Sequence, residues 1–288
     1  MTDPIRPLRS ALYLPANRAS AVAKARSADC DAVILDLEDA VAPDAKAEAR
    51  AAAVAAIKEG GFGHRVLVVR VNALDTEWGA ADLAALGHCP PDAVLVPKLC
   101  HPDEASIYRA QIGDGPELWA MLETCIAFTQ LGAINAKAAS ANLTTFVMGT
   151  NDLALEMRAK LDTGRAAFLP LLAQAVIHAR AHGLSILDGV FNDIADVGGL
   201  TQQCQQGAAM GFDGKTLIHP KQLETANAAF SPSTDEVTTA QSIRDAFAAP
   251  ENAGKGVIKV DGRMTEILHL REAERTLALD AATKRNTA

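Results

Sequence analysis

Aromatic side chains are scarce in this chain, at 4% of its 288 residues, although hydrophobic residues reach 49%. The core must therefore be aliphatic and alanine-rich, and global disorder is excluded because enough apolar surface exists to offset chain entropy. CxxC pairs are missing. The five cysteines (Cys30, Cys89, Cys100, Cys125 and Cys204) are odd in number and dispersed, which argues against a disulfide frame or thiolate zinc site and predicts reduced thiols. No apolar run approaches the roughly 20 residues that cross a bilayer, and the opening Met-Thr-Asp-Pro-Ile-Arg-Pro has no apolar signal core. A soluble cytoplasmic protein without a membrane partner is expected. Positive charge is in deficit, with a formal net charge of −8. Nucleic acid is therefore not an expected partner, although a local cationic pocket for an anionic ligand is compatible with that balance. Neither GxGxxG nor a P-loop follows an early strand, which removes the main support for a doubly wound nucleotide-binding sheet. There is also no nucleophile elbow.

What is present is alternation. Short apolar runs predict strands at Ser10 to Pro15, Ala32 to Leu37, Arg65 to Val71, Ala93 to Pro97, Glu117 to Leu122, Thr144 to Met148, Leu184 to Leu187 and Phe212 to Ile218. Helical stretches separate them, several closed by glycine, as at Gly60-Gly61 and Gly183. Eight strand–helix alternations imply parallel strands with crossover helices, and that number predicts a (β/α)8 TIM barrel. From about Ser231 the pattern changes to a helix, a glycine-rich segment, Val257 to Val260 and a charged terminal helix. The expected organisation is a barrel over residues 1–230 and a C-terminal helical lid extension over residues 231–288.

In such a barrel the reactive residues stand at the C-terminal strand ends. Those ends carry Asn17-Arg18, Asp36/Glu38/Asp39, Arg70/Asn72, Lys98, Glu123, Asn151/Asp152, Asp188 and Lys215/His219. Each has a plainer reading: Asp36 or Asp39 as a helix cap, Arg70 as a structural partner of Glu38, Lys98 as a solvated charge, Asp188 as a turn aspartate. Glu123 and Asp152 resist it, since each directly follows an apolar strand and they come from successive strands. Two such carboxylates suit Mg2+, which uses one or two protein carboxylates and leaves positions for water and substrate. Zinc would favour His and Cys, and His219 is the only strand-end histidine. Arg70 beside a metal points to an anionic group or a developing oxyanion, as in enolate chemistry.

The blocks Leu8–Arg18 (Leu-Arg-Ser-Ala-Leu-Tyr-Leu-Pro-Ala-Asn-Arg) and Ile34–Val41 (Ile-Leu-Asp-Leu-Glu-Asp-Ala-Val) resemble the citrate lyase beta-subunit-like family. So do Arg70 with Asn72, Pro97-Lys98, Glu123-Thr124, Asn151-Asp152-Leu153, and Gly211–Lys215 with Ile218-His219-Pro220. That family includes malyl-CoA and citramalyl-CoA lyases. The resemblance implies a trimeric or hexameric barrel that binds Mg2+ and takes a coenzyme A thioester as substrate. It implies Glu123 and Asp152 as metal ligands, and Arg70 on the thioester or oxo-acid oxygen. It further implies that Glu38 and Asp39 orient Arg70 and metal-bound water, and that Arg18 and Lys24 meet the CoA phosphates. In related lyases a C-terminal lid from a neighbouring subunit delivers a carboxylate acid/base. In this chain that block reads Arg263-Met264-Thr265-Glu266, with Glu266 where the family has aspartate and Asp261 nearby as a substitute. Ala16 also stands where the family usually has glycine.

The activity expected on this basis is a carbon–carbon lyase that splits a 3-hydroxy-acyl-CoA, such as malyl-CoA or citramalyl-CoA, into an oxo acid and an acyl-CoA. Glu266 would protonate the enolate carbon. The alternatives are a malyl-CoA-type thioesterase acting through the same site, a non-catalytic acyl-CoA-binding homologue, and an aldolase acting on free oxo acids.

Overall fold

The computed structural model describes residues 5–287. Eight parallel strands close into a barrel in sequence order: β1 (Ser10–Pro15), β2 (Ala32–Asp36), β3 (Val66–Arg70), β4 (Ala93–Val96), β5 (Glu117–Leu122), β6 (Leu143–Met148), β7 (Ser185–Asp188) and β8 (Gly214–Leu217), with β8 pairing back onto β1. The expected (β/α)8 barrel is present. The helices between strands are α1 (Ala19–Ala25), α2 (Lys46–Glu59), α3 (Gly79–His88), α4 (Pro102–Ile112), α5 (Cys125–Ala136), α6 (Thr150–Met157), α7 (Leu169–Ala181) and α8 (Val197–Met210). The short α9 (Leu223–Ala229) follows β8. The five cysteines are free thiols. Among the described residues no helix is long and apolar enough to cross a membrane.

Strand side chains alternate between two faces, and in a small closed barrel the inward set fills the interior. Here that set includes Ala11, Ile34, Val68, Leu95, Trp119 and Leu187, all buried and in mutual contact. The aliphatic composition explains the tight closure. At Gly214 a Cβ would lie 1.8 Å from the Leu8 carbonyl oxygen, so the β8 backbone approaches the segment entering β1 too closely for any side chain.

The same alternation corrects the expectation that every strand-end charge meets at one mouth. Asp188 falls one residue beyond inward-facing Leu187, and its register partner is Lys215. Both are fully buried. Lys215 Nζ lies 2.9 Å from Asp188 Oδ2, Arg165 Nη1 lies 2.6 Å from Asp188 Oδ1, and Gln203 and Gln206 of α8 accept from the two cations. Burial alone would raise the Asp188 pKa, but Lys215 and Arg165 outweigh it and hold the carboxyl below its ordinary value. This web pins the loop before α7 to the barrel wall. Asp188→Asn should cost about 3–5 kcal/mol in denaturant unfolding, because it strands two buried cations. A loss under about 1 kcal/mol would show the web to be dispensable.

Leu8–Ala228 form one compact unit; residues 229–287, with residues 5–7, form another. The second unit contains α10 (Thr234–Ala248), an antiparallel hairpin of β9 (Val257–Val260) and β10 (Arg263–Glu266), and α11 (Ile267–Thr287). The hairpin turn is Asp261-Gly262, with φ of +47° and +82°. Such two-residue turns select Asp-Gly because both positions need positive φ. Asp261 is therefore accounted for by the turn.

Candidate active site

The site is built where β2, β3, β5 and β6 end. Asp36 continues the inward series Ala32, Ile34, and Arg70 continues Val66, Val68. Asp36 and Arg70 are register partners on adjacent strands, so their side chains meet directly. Arg70 Nε lies 2.7 Å from Asp36 Oδ1 and Nη2 lies 2.6 Å from Oδ2, a two-pronged ion pair with both residues buried. Arg70 Nη1 lies 2.7 Å from Glu38 Oε2 and 3.6 Å from Asp39 Oδ2. Asp36 also accepts the backbone N–H groups of Glu38 and Ala40, so one carboxylate shapes the turn and holds the arginine. Lys46 completes the brace. Its buried ammonium donates to the Leu37 and Glu38 carbonyls and to Asn72 Oδ1, and Asn72 in turn donates to buried Asp82. Glu38 and Asp39 lie beside Arg70 as expected, but the main clamp is Asp36, a strand-end charge to which sequence reasoning gave no partner.

Glu123 continues Trp119 and Met121 into the same space and is only 1% exposed. Its Oε1 accepts the Lys98 backbone N–H at 2.7 Å, and Lys98 adopts φ +51°. Across from it, Gly149 ends β6 and caps α6. A Cβ there would sit 2.4 Å from Glu123 Oε2, so the glycine makes room for the carboxylate. Asp152 lies in the first turn of α6, where a carboxylate also complements the helix dipole. The sequence reading placed Asn151-Asp152 at a strand end and had no helix here. A turn of eight residues with glycine before it carries too little periodic signal to register.

Charge in this cluster is unbalanced. Asp36, Glu38, Asp39, Glu123 and Asp152 face Arg70, Lys46 and Lys98, and two acids lack a cation. The cost falls on Glu123. Burial first, then the Glu38 and Asp152 charges, push its carboxyl up to about 8, against the opposing pull of Arg70 and the Lys98 N–H. Burial likewise raises Glu38, with Arg70 opposing. Among the described residues no group of three His, Cys, Asp or Glu side chains forms a metal cluster. Two hard oxygen donors with surplus negative charge fit a cation that keeps most of its shell for water and substrate, as Mg2+ does.

Two cavities open here. One of about 300 Å3 is bordered by Asp36, Asp39, Arg70, Thr150, Asp152 and Asn192 among others. The second, about 520 Å3, is bordered by Leu12, Leu14, Arg18, Lys24, His219 and Leu223. Tyr13 and Ile218 border both. Exposed Arg18 and Lys24 thus share the second cavity, away from the acidic cluster. Glu266 is exposed at the end of β10 in the other unit.

Residues 9–220 match the family model of the HpcH/HpaI aldolase/citrate lyase family. The chain belongs to that family. A (3S)-malyl-CoA thioesterase from Cereibacter sphaeroides is 46% identical over 280 residues, which covers 96% of each chain. An L-malyl-CoA/beta-methylmalyl-CoA lyase from the same organism is 32% identical over 300 residues, 94% of each chain. Among solved structures, the CitE protein of Mycobacterium tuberculosis, in complex with magnesium, acetoacetate and coenzyme A, aligns over 96% of this chain and 98% of its own, with TM-score 0.78 and 28% identity. Membership in this enzyme family agrees with the resemblance read from the sequence. The carbon–carbon lyase activity expected from it is overturned: the relative at 46% identity is named as a thioesterase, while the lyase stands at 32%. The motifs on which the resemblance rests could not separate the two reactions.

Proposed function

We propose that this protein hydrolyses the thioester of a malyl-CoA-type substrate, a 3-hydroxyacyl-CoA with a carboxylate on the hydroxyl carbon, to free CoA and a hydroxy diacid. The observation that carries this reading is the 46% identity, over nearly the whole of both chains, to a (3S)-malyl-CoA thioesterase. The site supports it. Glu123 and Asp152 would hold Mg2+, which when bound supplies Lewis-acid polarisation and a fixed positive charge for substrate oxygens. Arg18 and Lys24, on the rim of the 520 Å3 cavity, would meet the CoA phosphates.

Arg70, clamped by Asp36 and Glu38, faces the oxygen of the tetrahedral adduct with a donor already oriented. Asp39 is exposed on the cavity rim, 3.6 Å from Arg70 Nη1, and is the carboxylate placed to take a proton from water. The water oxygen bonds to the thioester carbon while the carbonyl pair moves onto oxygen. The pair returns as the C–S bond breaks, the sulfur leaves as thiolate and takes the proton held by Asp39, and the new acid ionises.

Hydrolysis makes no carbanion, so the proton-donor role that the lyase reading gave Glu266 disappears with that reading. In the second unit Val257, Met264, Ile267 and Leu268 are exposed. These apolar side chains support packing of residues 231–288 on a neighbouring subunit of a homotrimer or hexamer.

The test is to incubate purified protein with malyl-CoA and Mg2+. Free thiol and malate should appear in equal amounts. Acetyl-CoA with glyoxylate, or tight binding without turnover, would overturn the proposal. Glu266→Gln should leave the hydrolytic kcat within about threefold, whereas loss of a true general acid costs about 10^2-fold or more.

A further inference from the structure

Tyr13, which the sequence reading passed over, borders both cavities. If the acidic cavity takes the hydroxy acid and the cavity with Arg18 and Lys24 takes the CoA arm, the scissile thioester is the junction of the two halves. Tyr13 stands at that junction. Its ring lies 5.0 Å from the Arg70 guanidinium carbon, a stacked cation–π pair that fixes ring and guanidinium together.

The phenol hydroxyl has Met121 Sδ as its partner, at 3.9 Å, and Arg70 Nη1 reaches the same sulfur at 3.7 Å. A thioether is a weak acceptor. Both donors reach the same sulfur, but Arg70 Nη1 also has Glu38 Oε2 at 2.7 Å, whereas the thioether satisfies the hydroxyl poorly, and a hydroxyl in that state gains from a stronger acceptor. Burial, with Arg70 opposing, holds the phenol above its ordinary pKa, so the group stays a donor at neutral pH.

We propose that Tyr13 is a catalytic residue of the hydrolysis, its O–H donating to the thioester carbonyl oxygen as that oxygen gains charge, beside Arg70 Nη1–H. This rests on the hydrolase reading above. As water adds to the carbonyl carbon, the carbonyl pair shifts to oxygen and both donors shorten onto it. As the C–S bond breaks, the pair returns and both relax. No proton leaves Tyr13. The donors are matched to the tetrahedral state, so their worth appears in kcat and not in ground-state affinity.

The experiment is steady-state hydrolysis of malyl-CoA by wild type and Tyr13→Phe in saturating Mg2+, with thermal melts of both. The phenylalanine ring keeps the stack on Arg70, so the melting temperature should stay within a few degrees. The expected result is a fall in kcat of about 10^2-fold with KM changed less than about threefold, the signature of one lost oxyanion donor. A kcat retained within about threefold, or a rise in KM at unchanged kcat, would overturn the assignment while leaving the hydrolase reading intact. Wild-type protein that releases no CoA and malate would overturn both.

Discussion

Glu123→Gln is expected to lower Mg2+-dependent turnover by about a thousandfold, since a bound metal supplies several kcal/mol of charge stabilisation at 1.36 kcal/mol per tenfold. Glutamine keeps the shape and can still accept the Lys98 N–H, but it brings no charge to the cation. The pH dependence separates this from a packing defect. With its carboxyl pushed up to about 8, metal-free Glu123 holds a proton in the folded state that it has lost in the unfolded chain. Its contribution to stability is full below the ordinary carboxylate range and is lost as pH rises from there through about 8. Mg2+ must displace that proton, so its affinity should rise with pH by up to about tenfold per unit from pH 6 to 8, then level off. Calorimetric titration with Mg2+ alone, at pH 6, 7 and 8, reads this directly. In Glu123→Gln the binding should be weak and its pH slope gone. Asp152→Ala should lose turnover to a similar degree. Full activity in either variant, or Mg2+ affinity flat across the range, would sink the metal assignment.

The second large effect is expected at Arg70. Arg70→Lys keeps the positive charge but cannot span Asp36 with two parallel bonds while pointing a third nitrogen past Glu38 into the cavity. A fall in kcat of about 10^2–10^3-fold is expected, with Mg2+ affinity little changed. Lysine is the informative change. Arg70→Ala would strip buried Asp36 of its ion-pair partner and leave Glu38 with Lys98 alone, costing about 3–5 kcal/mol of stability, which confuses folding with chemistry. Thermal melts run beside the kinetics keep the two apart. If Arg70→Lys hydrolyses malyl-CoA at close to the wild-type rate, charge alone suffices and the oriented guanidinium is not needed.

Much of the site was legible before any coordinates, because a barrel strand that ends in a charged residue must deliver it to one rim. Glu123 and Arg70 follow from that rule together with two-residue alternation. The same rule overreached at Asp188 and Lys215, whose parity is shifted by one residue against Leu187; that shift turns both into the helix layer, where Asp188 pairs with Lys215 and with Arg165. Parity could have been counted in the sequence, but only the barrel shows which face is inside. Asp36 stood among the strand-end charges with a helix cap as its plainer reading, and its pairing with Arg70 went unseen because that partner lies 34 residues away and faces it only through strand register. Tyr13 was passed over as one more residue of the first strand. Its hydroxyl became conspicuous once its neighbour proved to be a sulfur atom.

The amino-acid sequence by itself determined the eightfold alternation, the aliphatic core and the acids at the strand ends, since these depend on residue type and local period. Tertiary structure decided which charges share a cavity, that Glu123 is buried enough to hold its proton to about pH 8, and that Tyr13 stands between two cavities. The physical reason is that desolvation and pairing depend on distances between residues far apart in the chain. Register and barrel closure set those distances, and no local pattern encodes them.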